Sequence, residues 1–279
     1  MIYIILPVFK RVEFTRRFME SVRKTKKADV RFIIVDDEKS IYSNYYSFIN
    51  EEDVDVLKTA GDVWWCKTVH QGIEYLFSSV KKDVFFNDVV IIANNDVQVQ
   101  SDIFNILDKL NDNSIYHPIT KLVDTQEIVS SGCKVTSWLP FITKHPMDVN
   151  SPIAQVDMLT ARFLCMKGSV LLKNGNINRE LLQYHGDSEF TLRAKNNDIK
   201  NYIVSSVFVT LDDNDNSAIY QKSFSNFFKS IIDETKSNSI KQKYLFLRCN
   251  FGVLKSLLIT SNMVVNGFVK VLIRKCFGS

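Results

Sequence analysis

Residues 89–96 read Val89-Val90-Ile91-Ile92-Ala93-Asn94-Asn95-Asp96, five apolar side chains that stop at two amides and a carboxylate. A short apolar run bounded by turn-forming residues reads as a buried strand. The same grammar occurs upstream, where the strand Arg31–Val35 ends in Asp36-Asp37. Tyr3–Leu6 and Val54–Leu57 read as two more short strands. Between them, Glu13–Thr25 carries Phe14, Phe18 and Val22 on one helical face, and Lys67–Val80 places Val69, Ile73, Leu76 and Phe77 at helical spacing. Ile41–Ile49 and Asp102–Leu110 also read as helical. This alternation predicts an α/β fold, a mainly parallel sheet flanked by helices. In open sheets of that kind ligands bind beyond the carboxyl ends of the strands. Both acidic clusters fall at such ends.

Farther along, the pattern is less regular. Strands are expected near Thr160–Met166 and Lys200–Val209, around a helix at Glu189–Asn196. From residue 218 the chain is expected to form a C-terminal helical extension. Phe224, Phe227, Phe228, Ile231 and Ile232 make one stripe there, and Leu254, Leu257, Leu258, Val265, Phe268 and Leu272 another.

Composition narrows the function. The 279 residues are 46% hydrophobic and 24% charged, and 9 Gly and 5 Pro exclude collagen-like and low-complexity chains. Cys66, Cys133, Cys165, Cys249 and Cys276 are widely spaced, which argues against a zinc ribbon or disulfide framework and for reduced cytosolic thiols. Residues 1–217 hold 25 Lys and Arg against 29 acids, whereas 218–279 hold 10 against 2. An acidic body with a basic tail is a poor match to a nucleic-acid binder, so no nucleic acid is expected as a partner. Met1–Leu6 has no basic n-region, so no secretory signal is expected. The longest charge-free apolar stretch, Ser256–Val269, is 14 residues. A spanning helix needs about 20, so none is expected.

Glycines exclude several nucleotide chemistries. Phosphate-cradling loops use glycine to bring backbone N–H groups to the anion, yet the first glycine is Gly61. A dinucleotide fingerprint after the first strand and a nucleotidyltransferase loop are therefore missing. Gly61–Thr68 misses the Walker A pattern, with Cys66 where the second glycine belongs. Gly186-Asp187-Ser188-Glu189-Phe190 fails as a nucleophile elbow, and the four histidines are scattered. Carboxylates remain. Hard divalent cations take Asp oxygens, and such a cation can hold a phosphate. Asp96 stands where this would work, although Asn and Asp also favour plain turns.

Taken together, these segments resemble the family 2 glycosyltransferases. Leu6-Pro7-Val8-Phe9-Lys10-Arg11 is similar to the opening strand and turn, and Ile33–Ser40 to the base-recognising strand end. Gly61-Asp62-Val63-Trp64-Trp65 with Gly72-Ile73 resembles a rhamnosyltransferase-like subgroup. Ile91–Val97 is similar to the family's DxD-type motif, Val156–Leu159 with Arg162 to its acceptor-side strand, and Gly186–Ala194 to the segment of its catalytic base. The pieces fall in the family's order and span roughly residues 3–215.

The resemblance implies a GT-A (Rossmann-like) catalytic domain over 1–217, with a nucleotide-sugar-binding half at 1–112 and an acceptor half at 113–217, followed by the basic tail 218–279. Pro7 and Phe9 would line the nucleoside pocket, Asp37 would bond the base or ribose beside Asp36, and Asn95 would approach the ribose or sugar. Asp96 would reach a Mg or Mn ion on the diphosphate, and Asp187 would be the general base. Asp62, Trp65, His70, Arg162 and Glu189 would meet donor or acceptor. His70 and Thr160-Ala161 depart from the family pattern. The family's later His ligand is absent, so Asp212, Asp213, or phosphate and water would complete the metal site. Three other readings stay open: Asp187 as an ordinary N-terminal acid of a helix, Arg193 as a partner of Glu189, and one of Trp64 and Trp65 as core filler while the other nears the site.

The activity implied is inverting, metal-dependent sugar transfer from a dTDP- or UDP-sugar to a glycan or lipid-linked acceptor, in biosynthesis of a surface polysaccharide such as lipopolysaccharide O-antigen or capsule. The competing reading is an inactive nucleotide-sugar-binding partner of such an assembly. A cytoplasmic protein is implied, with the tail either meeting the inner face of the cell membrane as a peripheral contact or capping the core.

Overall fold

The structure is a computed structural model that describes residues 1–25, 29–40, 44–48, 50–135, 142–144, 151–211 and 224–277. The chain opens with β1 (Ile2–Val8), α1 (Val12–Arg23), β2 (Val30–Asp36), a 3-10 turn (Asn44–Phe48), β3 (Val54–Lys58), α2 (Trp64–Ser79), α3 (Lys82–Phe85) and β4 (Val89–Ala93). It continues through β5 (Val97–Val99), a second 3-10 segment (Ile103–Lys109), β6 (Ser114–Leu122), β7 (Ile128–Ser130), β8 (Cys133–Val135), β9 (Ile142–Lys144), β10 (Ile153–Val156) and β11 (Phe163–Lys167). It ends with α4 (Gly168–Asn174), α5 (Gly186–Asn196), β12 (Lys200–Leu211), α6 (Phe224–Ile232), α7 (Ile240–Phe251) and α8 (Val253–Phe277).

One sheet runs β10-β12-β6-β11-β4-β1-β2-β3, with β5 on β12 and β7 on β6. The β4-β1-β2-β3 half is parallel, as expected. β11 then runs antiparallel to both β4 and β6, so the sheet is mixed beyond β4. Both faces are covered. Ile5, Ile33, Ile92 and Leu164 pack under α2, α5 and α7, whereas Ile4, Phe32, Ile34 and Phe163 pack under α1 and the 3-10 segments. Burial on both faces explains why these strands read as unbroken apolar runs rather than alternating ones.

Two segments that the sequence made helical are 3-10 where described, Asn44–Phe48 and Ile103–Lys109. β6 escaped the sequence reading because it carries Pro118, and proline is excluded from most central strands. Here β12 absorbs the defect. Its register on β6 slips between Val204, opposite Pro118, and Phe208, opposite Ile119.

α8 is longer than the apolar stretch read from the sequence. Lys255 and Lys270 bound the charge-free stretch, but the helix runs through both for 25 residues. Val253–Ile273 is long and apolar enough to cross a membrane by length and composition.

Candidate active site

A cleft of about 280 Å³ opens at the carboxyl ends of β1, β2 and β4. Its floor is Pro7, Val8 and Phe9, where β1 gives out. Asp37 follows β2, and Asn94, Asn95 and Asp96 follow β4. The N-terminal end of α2 supplies Trp64, Trp65 and Thr68. The sequence placed Pro7, Phe9, Asp37, Asp62, Trp65, Asn95 and Asp96 at a ligand site, and the fold gathers all seven here. Arg11 and Gln183 also line the cleft and were missed by sequence reasoning. Arg11 was legible only as part of a turn, and Gln183 lies 118 positions from the Trp65 backbone it contacts.

Asp37 does structural work in this wall. Its Oδ1 accepts hydrogen bonds from Thr59 Oγ1 at 2.6 Å and Val63 N at 3.0 Å, and its Oδ2 accepts one from Trp64 N at 2.9 Å. The Val63 side chain cannot cap α2, so Asp37 fills that role from a distant strand end, with its charge at the positive end of the helix. A carboxylate offers about four acceptor sites, which leaves one for a ligand. Asp36 is buried behind it, paired with Lys58 at 2.8 Å and accepting from Glu38 N, and is not part of the cleft lining.

The loop that Asp37 holds is unusual. Gly61, Asp62 and Trp64 all have positive φ, the last at 68°. A bulky residue in that region is strained and persists only where its surroundings over-determine it. Trp64 is 38% exposed at the lip. Trp65 donates its indole N–H to Asn94 Oδ1 at 3.0 Å, and its backbone N–H to Gln183 Oε1. The expected division into one core and one site tryptophan is therefore corrected: both indoles face the cleft, and Trp65 packs partly on the core as well.

At the β4 corner, Asn95 donates its amide to Thr15 Oγ1 at 2.9 Å, which ties the turn to α1. Asp96 lies 3.7 Å from the Arg11 guanidinium. Among the described residues no group of three His, Cys, Asp or Glu side chains converges as a ready metal cage. Asp96 nonetheless fits one kind of ion. Magnesium-type cations are commonly held by one or two carboxylates while phosphate and water oxygens complete the shell. Asp212 and Asp213 lie outside the described residues.

Asp187 occupies the first turn of α5. The turn starts from His185 in a left-handed conformation, φ 70°. Its ring stacks on Phe246 of α7 at 5.4 Å, and its Nε2 is 3.1 Å from the Ser237 carbonyl. Gly186 must be small, because a Cβ there would lie 2.5 Å from Cys66 Sγ and 3.2 Å from the Trp65 ring. The residue before Asp187 is thus packed against the indole that lines the cleft, while Asp187 itself is not among the cleft-lining residues. Its Oδ1 accepts from Ser188 N at 2.7 Å and its Oδ2 from Ala161 N at 3.3 Å. Burial raises its pKa above the ordinary carboxylate value, against the lowering effect of those two amides and of Arg162. On its other side, Ser188 and Thr160 line a second cavity of about 110 Å³ with Ser130 and Ser131.

His117, unremarked in the sequence, is buried on β6 with Nε2 3.2 Å from Thr160 Oγ1. Burial first, and Arg162 second, push its pKa down to about 3, so it is neutral. The fold does not bring His70 or Glu189 to the cleft. His70 Nδ1 donates to the Ile177 carbonyl at 2.7 Å, and buried Glu189 pairs with Arg193 at 2.8 Å. Arg193 also donates to the carbonyls of Asn174 and Asn176, which fixes α5 against α4. Arg162 precedes β11, and its carbonyl accepts from Asn94 N.

No protein-family model and no curated protein sequence matches the chain. Solved structures do. GalNAc-T7, crystallised with UDP, GalNAc and Mn2+, superposes with a TM-score of 0.60 at 10% identity, over 95% of this chain and 57% of that one. Residues 1–349 of S. aureus TarS give 0.57 at 13% identity, over 100% of this chain and 92% of that one. A longer TarS structure gives 0.51 at 13% identity, over 90% and 43%. The chain therefore spans little more than half of GalNAc-T7. Both neighbours are glycosyltransferases of the GT-A fold, and at such identities the likeness establishes that fold for this chain.

Proposed function

We propose that this protein transfers a sugar from a nucleotide-sugar donor to a hydroxyl acceptor, with Asp187 as general base. The observation that carries the reading is one juxtaposition. A cleft at the strand ends gathers Pro7, Phe9, Asp37 and Asp96, and the glycine before the desolvated carboxylate of Asp187 packs against the Trp65 indole of its wall. The GT-A fold shared with glycosyltransferases supports it.

The nucleoside lies over Pro7 and Phe9 and takes the remaining acceptor site of Asp37. Asp62 and Trp65 face the donor sugar, and Trp65 presents an indole face to it. Asp96 is the protein ligand for a Mg or Mn ion, which when bound neutralises charge on the departing diphosphate. Arg11, beside Asp96, adds a second positive charge at the same corner. Asp187 takes the proton of the attacking hydroxyl, and Arg162 bears electrostatically on that carboxylate. One base and no dedicated protein nucleophile mean a single displacement with inversion. The donor is a dTDP- or UDP-linked hexose or deoxyhexose. The acceptor is a glycan or lipid-linked intermediate of a surface polysaccharide, met at the inner face of the membrane by the basic tail.

The test is release of nucleoside diphosphate from a panel of dTDP- and UDP-sugars with Mn or Mg. Turnover with at least one donor, abolished by Asp187→Asn while nucleotide binding persists, is expected. Tight nucleotide binding without release from any donor, with or without glycan acceptors, would instead leave the chain as a binding partner.

A further inference from the structure

α8 is built inside out. Small and polar residues take the most buried positions of its inward side: Ser256 and Thr260 are 0% and 6% exposed, and a Cβ on Gly267 would lie 2.5 Å from the Phe227 ring. Apolar contact on that side comes from half-buried Ile259 and Met263 and, near the end, from Val271 against Phe227 and Ile231 of α6. The outward side is the hydrophobic one. Leu254, Leu258, Val265 and Leu272 are 72%, 56%, 58% and 43% exposed, and Leu257 and Val269 extend the same surface. At 100° per residue, Leu254, Leu258, Val265, Val269 and Leu272 fall within about 60° of one another, opposite Ser256, Thr260 and Gly267. A helix that only capped the core would present the reverse pattern.

Charge selects the occupant. α8 carries Lys255, Lys270, Arg274 and Lys275 and no acid, and Lys255 and Lys270 are exposed. A second copy of the chain would bring an equally cationic helix against this one. An anionic bilayer satisfies both features, taking the apolar face among its acyl chains and the lysines among its headgroups.

Deepening the tail contact read above, we infer that α8 lies flat on an anionic lipid surface, as an in-plane helix and not as a span. Its length alone would permit a span, but its Ser256–Val271 side is covered by α6 and α7, which leaves one side for lipid. α7 also connects this surface to the site. Gln242 Oε1 accepts from Leu182 N at 2.9 Å, and Asn178 contacts Cys249, so α7 holds the loop leading to Asp187. The docked surface is thus one helix away from the catalytic base.

The experiment is co-sedimentation of the full chain with vesicles of phosphatidylcholine alone or with phosphatidylglycerol, alongside Leu254→Ser/Leu258→Ser/Leu272→Ser and Lys255→Glu/Lys270→Glu. Pelleting is expected with the anionic vesicles and not with phosphatidylcholine alone. Both variants should reduce it roughly 10-fold or more, raised salt should weaken it, and an alkaline carbonate wash should release the protein. Pelleting that the variants leave unchanged, or no pelleting at all, overturns the proposal. So does a wild-type dimer in light scattering that the leucine variant dissolves without any vesicle binding. Resistance to carbonate overturns the in-plane geometry. Nucleoside diphosphate release from soluble donor, measured on the same samples, separates this outcome from failure of the catalytic reading.

Discussion

Asp37 and Asp187 are the same residue type at the N-terminal ends of two helices, Asp37 reaching α2 from the cleft wall and Asp187 in the first turn of α5, and the fold treats them in opposite ways. Asp37 accepts three hydrogen bonds from the protein and fastens a loop with three positive φ angles. Asp187 accepts from the backbone and hydroxyl of its own neighbour Ser188 and, at 3.3 Å, from Ala161 N, and burial outweighs these bonds and raises its pKa. A carboxylate bonded by three different residues is a fastener first, because most of its acceptor capacity goes to the scaffold. One that is desolvated faster than it is bonded is a proton acceptor, because protonation relieves it.

The contrast is tested most severely by exchanging charge at each position. Asp187→Asn should lower the transfer rate by roughly 100- to 10,000-fold, with nucleotide affinity and melting temperature nearly unchanged, as read by turnover beside calorimetric binding. Asp37→Asn should do the reverse. Its amide cannot accept as Oδ1 and Oδ2 do together, so stability should fall by about 1–3 kcal/mol in urea unfolding. Equal stability losses in the two variants would erase the distinction.

The pH profile sharpens it. A base works only when deprotonated, so transfer should fail as pH drops through the raised pKa of Asp187, above the range of an ordinary aspartate. An acid limb at the usual carboxylate value would contradict its desolvation. Stability has its own acid limb from histidine. His117 and His185 are held neutral by burial, at about 3 and about 4 against an ordinary value of 6.5. The unfolded chain therefore binds protons first, and stability should decline from pH 6.5 towards 4, by up to about 1.4 kcal/mol per pH unit for each histidine. Flat chemical denaturation midpoints across that window would show that neither ring is buried neutral. The smallest effect is expected at the wall between the two carboxylates. Trp65→Phe removes the indole bond to Asn94 and should cost about 0.5–1.5 kcal/mol in donor binding or stability.

Much of this was readable in the sequence, and what was hidden has physical reasons. The strand ends were legible because apolar runs stop abruptly at Asp36-Asp37 and Asn94-Asn95-Asp96. The role of Asp37 as a distant cap was not, since Thr59, Val63 and Trp64 reach it only once α2 docks. β6 was hidden by Pro118, which is tolerated because β12 shifts register opposite it. Asn95 lines the cleft as expected, but its amide N–H bond to Thr15 of α1 could not be read from the sequence. His70 and Glu189 followed the order of the motifs, but each spends its polar atoms on holding α2 or α5 in place. α8 was underestimated because Lys255 and Lys270 interrupt its apolar run, although lysine on one flank does not end a helix.

The central claim is that a nucleotide sugar occupies the cleft with its diphosphate at Asp96. Crystals grown with a nucleoside diphosphate and Mn should place the base over Pro7 and Phe9 and the diphosphate within ligand distance of a cation on the Asp96 carboxylate. A nucleotide bound anywhere else, with that corner left to Arg11 and water, would contradict the account.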